Sequence, residues 1–198
     1  MPNWCNNTLE ISHEDPAMME RVRKAFTDGR LLDEFIPVPK SLQIVAGRVG
    51  DDNDPKQIEL EAQEKANIEA HGYSTWYDYC VNEWGTKWDI GGDGMEPHDD
   101  GPNRTTLAFD SAWAPPCAAM DKLMDMGFSV RLYYYEPGMC FAGIYDENGD
   151  DYYDLGGMTS DQVAEEVPSE LDEMFGISET MAEYEAEEAE EEENEENK

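Results

Sequence analysis

Basic residues are scarce in this chain. Lysine and arginine together number 13 in 198 residues, against 47 aspartates and glutamates, for a net charge of −34 at pH 7. So negative a surface repels nucleic acid and anionic lipid, which argues against direct nucleic-acid binding and against membrane-surface attachment. Cysteines are few and scattered: Cys5, Cys80, Cys117 and Cys140, with no C-x2-C or C-x4-C pair. That spacing excludes the usual zinc and cluster patterns and reads as reduced, mostly buried thiols. No apolar run approaches the ~20 residues that span a bilayer. No apolar segment of the signal-peptide kind follows Met1-Pro2-Asn3-Trp4, so a cytosolic protein is expected. The glycine-rich Gly91-Gly-Asp-Gly94 lacks the GK[ST] ending of a phosphate cradle. The acidic loop from Asp146 holds Gly157 where a calcium loop needs its bidentate glutamate, so it reads as a turn. A cysteine–histidine dyad is disfavoured too, since a strongly negative field raises a thiol's pKa. The sequence specifies no metal, no cofactor and no catalytic set.

Aromatic residues are concentrated in one stretch, Gly72 to Ile90. It holds Trp76, Trp84 and Trp88, three of five tryptophans, with Tyr73, Tyr77 and Tyr79. Trp76, Cys80 and Trp84 recur at i, i+4 and i+8, which puts them on one helical face. Gly85 is placed to stop that helix in a left-handed cap. Thr86-Lys-Trp-Asp-Ile90 alternates polar and apolar and predicts a strand.

Around this stretch the periodicity predicts a first strand at Asn7 to Ser12, then a helix entered through Asp15-Pro16 and carried by Met18, Met19, Val22, Ala25 and Phe26. Pro55 to His71 predicts a surface helix. Residues 91–103 read as loop. Strands follow at Thr105 to Phe109, Ser129 to Tyr135 and Met139 to Tyr145, with Asp150 to Leu155 closing a hairpin. A helix at Pro116 to Met126 separates the first two of these. Thr159 caps a last helix, broken near Pro168. The class is α+β. With the insertion at about 55–85 removed, the order approaches a ferredoxin-like βαββαβ sandwich, an antiparallel sheet with two helices on one face. The expected divisions are a domain at 1–158, a C-terminal helix at 159–178 and an acidic tail at 179–198 that is disordered or at best a solvated, self-repelling helix.

The tail carries 11 glutamates and one lysine, and the 178 residues before it still carry 36 acids against 12 bases. The acidity therefore belongs to the folded body as well. Partners with a basic surface are favoured, and at low salt their association is accelerated.

Five separated motifs occur in a distinctive order: Met1-Pro-Asn-Trp-Cys-Asn-Asn7; Phe35-Ile-Pro-Val-Pro39; Trp76-Tyr-Asp-Tyr-Cys80 with Asn82-Glu-Trp-Gly-Thr-Lys-Trp-Asp89; Phe109-Asp-Ser-Ala-Trp-Ala-Pro-Pro116; and Tyr135-Glu-Pro-Gly138 with Phe141-Ala-Gly143. Over residues 1–145 this order resembles the YubB-like proteins of conjugative plasmids and tailed phages, whose main portion is described as ferredoxin-like. The resemblance implies a mobile-element protein acting in a bacterial cytoplasm, and it brings no enzymatic activity with it. Two functions follow. The first is a non-enzymatic accessory protein whose acidic surface occupies a basic groove on a host protein, as a nucleic-acid mimic acting against host defence. The second is a small-ligand-binding protein or enzyme built on an aromatic pocket. The candidate ligand- or partner-binding residues are Trp4, Trp76, Trp84, Lys87, Trp88, Trp113 and Glu136.

Overall fold

A computed structural model describes residues 3–92 and 94–196, with side chains to residue 191. Its strands are β1 (Trp4–Ser12), β2 (His98–Asp99), β3 (Arg104–Ala112), β4 (Ser129–Glu136), β5 (Phe141–Asp146) and β6 (Gly149–Asp154). They form one antiparallel sheet in the order β2-β3-β1-β4-β5-β6. β1 is central. It pairs with β3 from Trp4 opposite Ala112 to Ser12 opposite Arg104, and with β4 from Asn6 opposite Tyr135 to Ser12 opposite Ser129. Side chains alternate along it, so Cys5, Asn7, Leu9 and Ile11 are buried while their neighbours are not.

The helices are α1 (Pro16–Thr27), α2 (Leu31–Phe35), α3 (Pro55–His71), α4 (Trp76–Glu83), α5 (Cys117–Asp125), α6 (Ser160–Glu166), α7 (Ser169–Phe175) and α8 (Ile177–Glu196). α1 begins as its sequence predicts: the Asp15 carboxylate accepts the Ala17 N–H at 2.9 Å and Pro16 occupies the first turn. Met19, Val22, Ala25 and Phe26 face inward. They meet Leu9, Ile11, Leu107, Phe109, Val130 and Leu132 of the sheet, with Met120 and Leu123 of α5, in the main core.

A second core lies on the other face. Tyr133, Ala142 and Ile144 pack against Leu155, Val163, Val167, Leu171 and Ile177. The α+β class holds, and α1 and α5 pack on one face of the sheet. The opposite face is covered as well, over its β4–β5 half, by α6, α7 and the start of α8. The helical break at Pro168 is as expected. Of the two forms expected for the acidic tail, the helical one is present at Ile177–Glu196, and residues 197–198 lie outside the described residues. Ile177 is buried and Met181 packs on the second core, so α8 starts from an anchored turn. Glutamate and alanine, which dominate the rest, are good helix formers.

Two further differences fall just after the insertion. Thr86 to Ile90 forms no strand. The Thr86 hydroxyl instead both donates to the Ala112 carbonyl and accepts its N–H at 3.1 Å, tying the segment crosswise to the end of β3. Within the expected loop, His98–Asp99 makes a two-residue strand against Thr105 and Thr106, too short for periodicity to reveal. α3 buries Gln57 and Asn67 and leaves Ile58 and Ile68 exposed. It is held by polar bonds: the Gln57 side-chain carbonyl accepts the Val49 N–H, and Asn67 donates to the Ser41 and Ser74 carbonyls.

Because Leu171 is fully buried in the second core, Leu171→Ala should lower stability by about 2–4 kcal/mol. Tyr184→Ala on the exposed flank of α8 should change it by less than about 0.5 kcal/mol. Urea unfolding checks both.

Candidate binding surface

The seven candidate residues do not share one pocket. Trp84 closes the stripe begun by Trp76 and Cys80, but it is only 4% exposed, and its indole N–H donates to the Ile36 carbonyl at 2.9 Å. It is a core residue and leaves the candidate set. Glu136 leaves it as well. It is 1% exposed at the end of β4, where its carboxylate accepts the N–H groups of Gly138 and Met139 and so shapes the turn into β5.

The remaining five stay near the surface. After Trp84 the chain passes Gly85 at φ 84°, the left-handed stop expected for α4. Lys87 places its ammonium 4.5 Å from the Trp88 ring centroid and 5.7 Å from that of Tyr77. Lys87 and Trp76 line one cleft of about 470 Å³, with Asp78 and Glu64 in its wall. Trp4 and Trp88 line another, of about 270 Å³, with Asp89, Met95 and Asp110. Trp113 is 53% exposed at the end of β3, in the left-handed region at φ 72°, its N–H bonded to the Asn3 carbonyl at 3.0 Å.

Asp89 holds this region to the body. Its carboxylate accepts the N–H groups of Leu32 and Asp33 at the start of α2, and that of Ile90. Burial pushes its pKa above the ordinary aspartate value against the opposing pull of those donors. Asp89 and Asp110 are not among the sequence candidates, because a single short polar residue carries no periodic signal. Only the β1–β3 register puts Asp110 near Trp4.

The charge is uneven. Residues 146–198 contain 22 acids and one lysine, while residues 1–145 contain 25 acids and 12 bases. The β5–β6 turn, β6 and α6 to α8 therefore carry most of the net charge. Seven lysine or arginine ion pairs among the described residues engage six of the 47 acids. One of them, Arg131 with Glu170, joins β4 to α7. Glu185 of α8 is used differently: it accepts the Ser160 N–H and hydroxyl at 2.7 and 2.6 Å, which hold it below the usual carboxylate range and tie α8 to the start of α6. Chemically this is a surface for cations and basic groups. Among the described residues no group of three or more His, Cys, Asp or Glu is arranged to hold a metal ion. No helix among them is long and apolar enough to cross a membrane.

No family model matches the chain, and no curated protein matches it. Among solved structures, a protein api92 from Yersinia pseudotuberculosis, of family-model DUF1281, aligns with 15% identity over 77% of this chain and 98% of its own, at a TM-score of 0.42. That likeness is too slight to carry fold or function across.

The thiols give a direct check of the buried sites. Burial pushes Cys5 and Cys80 up to about 12 and raises Cys117 as well, whereas Cys140 is exposed. At pH 8, iodoacetamide should therefore label native protein at Cys140 first, and all four only after unfolding, as read by mass spectrometry. The folded thiols hold their protons above the ordinary value of 9.0, so the stability they contribute is complete below pH 9 and falls as the pH rises towards 12.

Proposed function

We propose that this is a non-enzymatic accessory protein of a phage or plasmid, acting in a bacterial cytoplasm by binding a basic host protein through its acidic face. On this reading it competes for a groove that otherwise holds nucleic acid. The observation that carries the proposal is the concentration of charge in residues 146–198, 22 acids against one lysine. Its spacing is also suggestive. From Glu183 to Glu196 there are ten glutamates in 14 residues. At a rise of ~1.5 Å per residue that is one charge per roughly 2 Å, close to the ~1.7 Å of duplex DNA.

The finer reading of the fold belongs with this proposal. The sheet is a ferredoxin-like βαββαβ variant. The order β2-β3-β1-β4 supports it, as does the placement of α1 after β1 and α5 between β3 and β4. β2 is shortened to two residues, α2 to α4 enlarge the first crossover, and β5 and β6 extend the far edge. The ordered motifs of residues 1–145 support the mobile-element setting. The alternative, a ligand-binding protein or enzyme using Trp76 to Trp88 with Trp113 and Glu136, is weakened because Trp84 and Glu136 are closed to solvent.

The test uses the purified protein and host restriction or nuclease complexes. Binding should weaken at least about tenfold between 50 and 200 mM salt, and duplex DNA should displace the protein. Removing residues 179–198 should flatten the salt dependence. Binding that ignores salt, or that coexists with bound duplex, would overturn the proposal.

A further inference from the structure

The acidic face supplies attraction but little shape. The Trp4–Trp88 cleft supplies shape. Trp4 begins β1 opposite Ala112, and two residues on Asn6 lies opposite Asp110, so Trp4 and Asp110 are diagonal neighbours on one face of the sheet. The Trp4 and Trp88 rings stand 5.9 Å apart with their planes at 36°, and the side chains are 46% and 40% exposed. At about 270 Å³ the cleft admits one long side chain and is too small for a drug-sized ligand.

Among the described residues its charge has one sign: Asp89 and Asp110 line it, and no lysine or arginine does. Asp89 is committed to the α2 and Ile90 N–H groups. Asp110 takes one hydrogen bond, from the Asn6 amide to Oδ1 at 2.7 Å, and its Oδ2 bonds to no described residue. The neighbouring Lys87, which lines the other cleft, already holds its ammonium 4.5 Å from the Trp88 ring. Indole rings here thus stand ready for a cation, and a free carboxylate oxygen lies beside them.

We propose that this cleft receives an arginine side chain of the basic partner, its guanidinium flat against Trp4 and its N–H groups on Asp110. The inference rests on the acidic-face reading and adds to it the anchor that fixes register. Arginine fits better than lysine because its planar head stacks on an aromatic face while presenting donors to a carboxylate. It lies against Trp4 and not between the rings, since a plate between two rings needs two contact gaps of ~3.5 Å and the separation is 5.9 Å.

An eight-residue arginine peptide and its lysine counterpart, titrated into the full chain by calorimetry, decide it. Trp4→Ala should weaken the arginine peptide about fivefold and Asp110→Asn about threefold, with Trp4→Phe retaining most of the affinity. The lysine peptide should bind less tightly and respond less to each change. The conservative Trp4→Phe and Asp110→Asn variants keep the test valid should Trp4→Ala fail to fold. Wild-type affinity in Trp4→Ala and Asp110→Asn, or equal losses for the two peptides, would overturn the anchor. In that case salt-dependent binding of both peptides would leave the acidic-face reading standing. No binding of either peptide to the wild type would remove both.

Discussion

Both faces of β4 are buried, and the rest of the molecule is arranged to satisfy that constraint. Val130, Leu132 and Tyr134 alternate with Tyr133 and Tyr135 along it. The period of a strand sends these two sets to opposite sides. One set enters the core shared with α1 and α5, and the other needs cover that the β-strands cannot give. α6, α7 and the first turn of α8 provide it through Val163, Val167, Leu171 and Ile177. These helices are dense in acids, and their mutual repulsion opposes packing. Burying aliphatic side chains against Tyr133 and Ile144 offsets it at roughly 1.5–3 kcal/mol per large residue. The acids of α6 and α7 are thereby held on the face opposite the main core.

The aromatic stretch works by a different device. Between Trp84 and Gly91 anchored residues flank exposed ones, without a partner strand. Trp84 is anchored in the core, Thr86 to Ala112, Asp89 to the start of α2 and Ile90 in the core, while Lys87 and Trp88 project between them. Gly91, at φ 91°, then passes so close to the Phe26 carbonyl at the end of α1 that a Cβ would collide with it. Individual side-chain bonds thus do what a ladder would do elsewhere, and they present Trp88 to Trp4 at the sheet margin. The polar–apolar alternation of Thr86 to Ile90 predicts a strand, but burial does not follow it: the apolar Trp88 projects beside Lys87, while Asp89 and Ile90 are both anchored.

On the proposed reading, the two surfaces would suit different parts of one recognition event. A broad field raises the encounter rate and loses strength with salt. A cleft holding aromatic rings and one carboxylate oxygen is short-ranged and selects geometry. An anionic protein that relied on the field alone would bind many basic proteins alike, so the shaped element is where discrimination would reside.

Local patterns were legible wherever a residue's own chemistry decides its conformation. Asp15-Pro16 starts α1, Gly85 stops α4, Pro168 separates α6 from α7, and the alternation of β1, β3 and β4 appears in the order of the letters. The α+β class and the excess of acid followed from the same reading. What buries Tyr133, why Trp84 is closed and Trp88 open, and how Asp110 comes to stand beside Trp4 were not legible. Each depends on contacts between residues far apart in the chain: Trp84 on Ile36, Trp4 and Asp110 on the β1–β3 register, Tyr133 on Leu171. Periodicity reports that a side chain has a buried face but carries no information about which distant element covers it, because that choice is settled by packing among whole elements.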